Sequence, residues 1–135
     1  MGKKIHILPV LSFIPLVAVA QLHLTIEIMD LRNDGGQILL ELRDGEEMEV
    51  AGATRDISDG RCVIVFNDLP SGKYAFRYFH DENKNGKTDT NWLGIPKEGF
   101  GFSNDPAMLF GPPSFDKTVF ELNESGVIRC KPTYY

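Results

Sequence analysis

The sequence predicts an all-β fold: a single immunoglobulin-like or transthyretin-like antiparallel β-sandwich with one long loop rich in aromatic residues, glycine and proline. Several short segments alternate hydrophobic and polar residues, which is the period of a half-buried strand. Clusters of Gly, Pro, Asn and Asp separate them, and no longer segment has a helical period. The 135 residues suit one domain. A sandwich is favoured because alternating aliphatic residues on two facing sheets close a core between them.

The first strand is predicted at 22–28, where four aliphatic residues alternate with polar ones. The other predicted strands are 38–42, 61–66 and 73–80, followed by a hairpin of 118–122 and 127–131. The polar segment 44–59 is predicted as a loop with at most a short edge strand near Met48.

The turn before the fourth strand has a specific signature. Pro70 fixes φ and Gly72 permits a tight turn, and Tyr74 follows at the start of the strand. This order predicts a tyrosine corner, in which the hydroxyl bonds to a backbone group a few residues upstream.

Residues 91–115 contain no clear strand, yet they hold four glycines, four prolines and five aromatic residues. Loops this long are uncommon in a compact domain, and disordered segments are poor in aromatic residues. We therefore expect an ordered segment whose aromatic side chains cover one end of the sandwich. It would be either a lid on the core or a ligand-binding surface.

The N-terminal segment 1–20 is predicted to be a cleaved signal peptide. Lys3 and Lys4 precede an apolar run from 5 to 17, and Ala18-Val19-Ala20 has the small-x-small pattern of a cleavage site. An uncleaved anchor is the alternative, but the run falls short of the roughly 20 residues that span a bilayer. The β-sandwich domain is then 21–135, located in the periplasm or outside the cell, with no membrane span after cleavage.

The charge of the chain limits its partners. Loss of two lysines with the signal peptide would change the formal charge from −5 to −7. An acidic chain without a basic cluster is a poor ligand for nucleic acid, which requires cations against phosphates. Anionic lipid surfaces are disfavoured for the same reason.

The two cysteines, Cys62 and Cys130, are predicted to form one disulfide, because paired thiols are usual in small exported domains. Both lie on strand faces shared with aliphatic residues and are expected to point into the core. Two separate buried thiols are the alternative, since the sequence does not reveal their separation.

Oxygen-bearing residues recur at every second position after the fourth strand, with Gly86 at the sixth position of the series. The predicted calcium ligands are the side chains of Asp81, Asn83, Asn85 and Asp89 and the carbonyl oxygen of Lys87. This is the spacing of D-x-[DN]-x-[DN]-G calcium loops. The alternative is a polar turn in which Asn and Asp bond to nearby backbone groups.

The loop departs from an EF-hand in two ways. Trp92 occupies the twelfth position, where an EF-hand has a bidentate Glu, and no helix follows. We therefore expect a calcium loop on a β-scaffold, in which Glu98, Asp105 or water supplies the missing ligand.

A hydrolytic interpretation is also open. A cell-envelope hydrolase would use His80, Asp81 and Glu98 around a cleft under the long loop, or Ser103 as a nucleophile with His80 as its base. No G-x-S-x-G motif is present, and a zinc site lacks a second nearby histidine. We favour a role other than catalysis over the hydrolase without excluding it, and we expect His80 to make a structural hydrogen bond.

Four blocks of sequence resemble a known family. They are 69–74 (L-P-x-G-x-Y), 80–91 (H-D-x-N-x-N-G-x-x-D-x-N), 94–103 (G-I-P-x-E-G-x-G-F-S) and 111–115 (G-P-P-S-F). Through them the chain resembles a family of exported bacterial domains of unknown function, family 2141. The resemblance implies a signal peptide and an all-β domain, and it supplies no catalytic residues.

These patterns favour an exported binding or structural module that recognises a protein or glycan partner and is stabilised by calcium at 81–91. A transthyretin-like accessory domain that assists another exported protein is a further alternative, alongside the hydrolase.

Overall fold

The computed structural model describes residues 1–135 and contains eight strands. The strands are β1 (Leu22–Ile28), β2 (Gln37–Asp44), β3 (Glu49–Asp56), β4 (Cys62–Leu69), β5 (Gly72–Asp81), β6 (Phe100–Phe102), β7 (Phe120–Leu122) and β8 (Gly126–Cys130). A 3₁₀-helix at Phe115–Lys117 is the only helix, and no helix has the length and hydropathy to cross a membrane. Residues 1–21 contain no helix or strand, and the signal peptide stays a prediction.

The strands form two packed sheets, which confirms the predicted all-β sandwich. One sheet has three strands in the order β4-β1-β8. The other has the order β3-β2-β5-β6, and β7 pairs with the beginning of β5. All pairs are antiparallel except β1 with β8, which is parallel.

The core lies between the sheets and follows the predicted alternation. On β1 every second side chain is fully or almost fully buried, and the intervening residues face solvent. The eighteen core residues come mostly from β1, β2, β4 and β5, and the central ones are Leu24, Ile26, Ile28, Ile38, Leu42, Ile64 and Phe76. These strands therefore bury one face each, as aligned sandwiches require.

The segment 44–59, predicted as a loop with at most a short edge strand near Met48, contains the eight-residue edge strand β3. It pairs with β2 along its whole length, with a bulge between Leu42 and Arg43. The oxygen Asp44 Oδ1 accepts backbone N–H bonds from Glu46 and Met48 and so shapes the preceding turn. β3 is an edge strand whose contribution to the core is Ala51 and Ala53, flanked on the same face by Glu49 and Arg55, so the sequence lacks a hydrophobic alternation there.

The predicted C-terminal hairpin is wrong. β7 joins the five-stranded sheet through β5, whereas β8 joins the three-stranded sheet through β1. The turn at 123–125 therefore crosses between the sheets instead of reversing within one. Both strands have the expected alternation, but that pattern does not specify which strand pairs with which.

The tyrosine corner is present. Tyr74 donates its hydroxyl hydrogen to the carbonyl oxygen of Pro70 at 2.7 Å, and its ring packs 6.5 Å from that of Phe120. Burial raises the pKa of this phenol, which keeps the donor protonated.

The predicted disulfide is wrong, because Cys62 and Cys130 are free buried thiols. In the three-stranded sheet both align with Ile28, one from each neighbouring strand. Two strand spacings separate them by about 10 Å, whereas a disulfide needs Cα atoms within about 7 Å. Burial raises the pKa of Cys62 to about 11 and that of Cys130 to about 12, so both remain thiols.

Candidate functional site

Asp81 closes β5 and forms the base of the predicted calcium loop. Its side chain is fully buried, and Oδ1 accepts the N–H of Asn85 at 3.0 Å. Its other oxygen, Oδ2, accepts the N–H of Gly86 at 2.8 Å and the side-chain amide of Gln37 at 3.0 Å. Burial by itself would raise the pKa of this carboxyl, but the three hydrogen bonds together lower it. Three of about four acceptor positions on the carboxylate are therefore in use.

The outer part of the loop converges on Asp89. Asn83 donates from Nδ2 to Asp89 Oδ2 at 2.7 Å, and Asn85 donates from Nδ2 to both Asp89 oxygens at 3.0 Å. The Asn85 Oδ1 oxygen accepts the N–H of Lys87 at 2.9 Å. Without an ion, the amide nitrogens of Asn83 and Asn85 therefore face Asp89. Rotating each side-chain amide by 180° would present its oxygen on that side instead, as calcium ligation requires.

The residues suit calcium in part. Two carboxylates and two amides lie in one short loop, and hard oxygen donors are what Ca²⁺ selects. However, no three His, Cys, Asp or Glu side chains cluster as a metal site. An ion here would depend on amide and backbone oxygens as much as on charge.

Glu98 closes the loop from its far side. It is buried, and its two oxygens accept the N–H groups of Glu82 at 2.9 Å and Asp89 at 3.1 Å. Its carboxylate therefore joins the beginning and the end of the loop through hydrogen bonds. Asp105, the other proposed ligand, accepts the N–H of Lys131 at 3.3 Å in the C-terminal segment.

His80 lies on the opposite face of β5 and is fully buried. Its Nε2 is 2.6 Å from the carbonyl oxygen of Gly35, which can only accept, so Nε2 carries a proton. The other nitrogen, Nδ1, is then available to accept the hydroxyl hydrogen of Tyr134, whose oxygen lies 2.8 Å away. The predicted structural hydrogen bond of His80 is thus present.

The residues of the predicted hydrolase do not form one hydrogen-bonded cluster. His80 and Asp81 are consecutive on a strand and point to opposite faces of the sheet. Ser103 is fully buried; its Oγ accepts the N–H of Phe76 at 3.0 Å and donates to the carbonyl of Thr118 at 2.5 Å. The serine, the histidine and the acids are therefore committed to separate structural hydrogen bonds.

A groove of about 1090 Å³ lies on the outer face of the five-stranded sheet, and the sequence analysis missed it. Its floor is made by outward-facing residues of β2, β3, β5 and β6, and its walls by two parts of the long segment near 94–96 and 108–112. Ten of the nineteen lining residues are hydrophobic, which is typical of ligand sites. The ten are Leu39, Leu40, Ala53, Tyr78, Phe79, Ile95, Phe100, Phe102, Met108 and Tyr135, and the rings of Pro96 and Pro112 add further apolar surface.

This groove corrects the predicted position of the long segment. The segment contributes β6 to the five-stranded sheet and lies along the outer face of that sheet, not over one end of the sandwich. A signal for it is visible in retrospect. Leu39 and Phe79 are apolar at positions that the alternation assigns to solvent, and they pair directly across β2 and β5.

The only charged residues that line the groove are Glu41 and Arg77. Arg77 donates to Glu41 Oε2 from Nε at 3.2 Å and from Nη2 at 2.8 Å, and Arg43 binds the same carboxylate through Oε1. Burial by itself would raise the pKa of Glu41, but the two guanidinium groups lower it, so Glu41 stays ionised at neutral pH.

Four large apolar side chains beside the groove are exposed. Trp92 and Leu93 precede the first wall and are 91% and 62% exposed, and Leu109 and Phe110 in the second are 82% and 102% exposed. Their segments, 90–96 and 106–113, carry no charge. Exposed apolar side chains of this size, next to a groove-lining segment in the sequence, are typical of interaction surfaces.

A family model described as "Uncharacterized protein conserved in bacteria (DUF2141)" matches residues 26–129. The chain belongs to this family. The match runs from β1 into β8, so the DUF2141 region includes the loop at 81–91 and all of the groove except Tyr135. The predicted resemblance is confirmed. A comparison with curated proteins found no match to the chain.

Proposed function

We propose that this protein is an exported binding module that holds its ligand in the groove, and that calcium at 81–91 stabilises one wall of that groove. The observation that carries the proposal is the large, mostly apolar groove between the sheet and the long segment. The predicted signal peptide at 1–20 would deliver the domain to the periplasm or the outside of the cell.

The lining of the groove favours an apolar ligand group over a glycan. Hydroxyl groups of a sugar need hydrogen-bond partners when they leave water. The polar side chains in the lining are only Thr54, Thr88, Glu41 and Arg77, apart from the hydroxyls of two tyrosines. A protein partner would meet the same surface through an apolar side chain.

The calcium part is supported by the position of the loop. Asp89 connects the loop to the wall, since its carbonyl oxygen accepts the N–H of Lys97 at 2.8 Å. Thr90 and Pro96 form an isolated bridge just beyond it. An ion held by Asp81, Asn83, Asn85, Asp89 and the carbonyl of Lys87 would therefore fix the beginning of the wall.

Thermal unfolding of the purified protein with and without calcium tests this part. A loop with two acids is expected to bind weakly, with a Kd of about 10⁻⁴ to 10⁻³ M. Calcium at 10 mM would then stabilise the folded state by about 1.4 to 2.7 kcal/mol, a rise in melting temperature of several degrees. Magnesium at the same concentration is the ionic-strength control.

Variants make the test specific. Asp89→Asn should abolish the calcium-dependent rise, and Glu46→Gln, which removes an exposed charge from the turn after β2, should retain it. Equal melting temperatures in calcium and magnesium would eliminate the calcium part of the proposal.

A further inference from the structure

We infer that the groove takes a single-chain amphiphile with a terminal carboxylate, whose apolar chain lies on the aromatic floor and whose carboxylate binds Arg77. This inference rests on the proposed role of the groove as the ligand site. It adds the chemical class of the ligand.

The floor accounts for the apolar chain. Phe79 and Phe100 pair across β5 and β6, and Leu39 continues the same outward face on β2. Phe102 lies two residues from Phe100, and their rings contact edge to face with centroids 6.4 Å apart. These side chains form a continuous strip across three strands. A flexible apolar chain that covers the strip removes from water both its own apolar surface and that of the protein.

The charges account for the carboxylate. Arg43 and Arg77 share the single carboxylate of Glu41, so this group of three carries one excess positive charge within a chain of net charge −5. Arg77 uses Nε and Nη2 on Glu41, which leaves the Nη1 donors free, and its side chain is 55% exposed. A guanidinium with a free edge is well suited to a carboxylate.

The walls account for the length of the ligand. Trp92, Leu93, Leu109 and Phe110 adjoin the wall residues in the sequence and add exposed apolar surface without charge. A chain that runs past the floor would therefore still meet apolar side chains, whereas a short acid would not use them.

Isothermal titration with dodecanoate, below its micelle-forming concentration, tests the inference. Acetate and uncharged dodecanol are the comparison ligands. We expect saturable binding of dodecanoate at one site, weaker binding of dodecanol and none of acetate.

Two pairs of variants assign the two parts of the ligand. Arg77→Gln should weaken dodecanoate binding about tenfold and leave dodecanol unchanged. Its matched control is Arg129→Gln, which removes an equivalent exposed ion pair with Glu27 from the other sheet. Thr54→Trp should fill the groove and abolish binding of both ligands, and Val65→Trp, at an exposed strand position of the other sheet, should not.

The outcomes distinguish a failure of this inference from a failure of the proposed function. Equal effects of Arg77→Gln on dodecanoate and dodecanol would overturn the role of the carboxylate. Binding that Thr54→Trp leaves intact would overturn the groove as the ligand site and the proposed function with it. Absence of dodecanoate binding, alongside a calcium-dependent melting shift, would overturn this inference and leave calcium stabilisation standing.

Discussion

Asp81 shows how a single residue shapes the loop. A fully buried carboxylate is costly unless it is paired or hydrogen-bonded. Its three N–H donors meet that cost and curl the chain back over the end of β5. The turn before β2 packs tightly against the same point, because a Cβ atom on Gly36 would lie 2.0 Å from the carbonyl oxygen of Asp81. An aspartate at the first position of the oxygen-rich loop therefore has a structural role, whether or not the loop binds an ion.

Asp81→Asn is expected to lower stability at neutral pH. The folded-state pKa of Asp81 is lowered, so its contribution is present above the unfolded pKa of about 3.9 and is lost as pH falls through the folded pKa. We expect a loss of about 1.5 to 3 kcal/mol at pH 7 and a shallower decline of stability toward pH 3. Urea unfolding at several pH values measures both.

The control for this prediction is Glu46→Gln, an exposed carboxylate in the turn after β2. It should keep the wild-type stability and the wild-type pH dependence. An Asp81→Asn protein that loses stability on acidification as steeply as wild type would contradict the assigned role.

The C-terminal segment 131–135 ties the two sheets together, although it lies outside the DUF2141 match. Thr133 and Phe100 exchange two backbone hydrogen bonds of 2.7 and 3.1 Å. Tyr134 lies against Gly99, where a Cβ atom would be 2.3 Å from its ring. The guanidinium carbon of Arg32 lies 4.6 Å from the ring centroid of Tyr134. The backbone N–H of Arg32 donates to the hydroxyl oxygen of Tyr134 at 3.3 Å.

Tyr134→Phe tests this element. The change removes the donor to Nδ1 of His80 and leaves that buried nitrogen without a partner, which costs about 1 to 3 kcal/mol. Chemical denaturation of the two proteins measures the difference.

Tyr135→Phe is the matched control, because Tyr135 is 68% exposed and its hydroxyl makes no hydrogen bond within the protein. Its stability should equal that of wild type. Equal stabilities of the Tyr134→Phe and Tyr135→Phe proteins would show that the hydroxyl bond to His80 contributes nothing.

At the scale of the whole molecule, the sandwich is stabilised by its core without a covalent cross-link. Eighteen buried residues close the space between the sheets. Cys62 and Cys130 belong to this core as small apolar side chains, with Ile28 between them.

Reduction is therefore expected to leave stability unchanged. The melting temperature in millimolar dithiothreitol should equal that in non-reducing buffer, and both thiols should react with a thiol reagent only after unfolding. A disulfide closing a loop of this length would contribute about 4 kcal/mol. A clear fall in melting temperature on reduction would contradict the observed separation of the cysteines.

The sequence by itself determined which side of each main strand is buried. Alternation at β1, β2, β4 and β5 depends only on local period, and so do the turn at Pro70 and the corner at Tyr74. It also placed Asn83, Asn85 and Asp89 in one loop, since their contacts span at most six positions.

The tertiary structure alone decided the pairing of strands and everything that follows from it. Arg129 bonds to Glu27 across 102 positions, and no local pattern specifies such a contact. The parallel position of β8, the crossing between the sheets and the separation of the cysteines all depend on which strands pair. The groove has the same origin, because Leu39, Phe79 and Phe100 form one apolar strip only after three distant segments have paired.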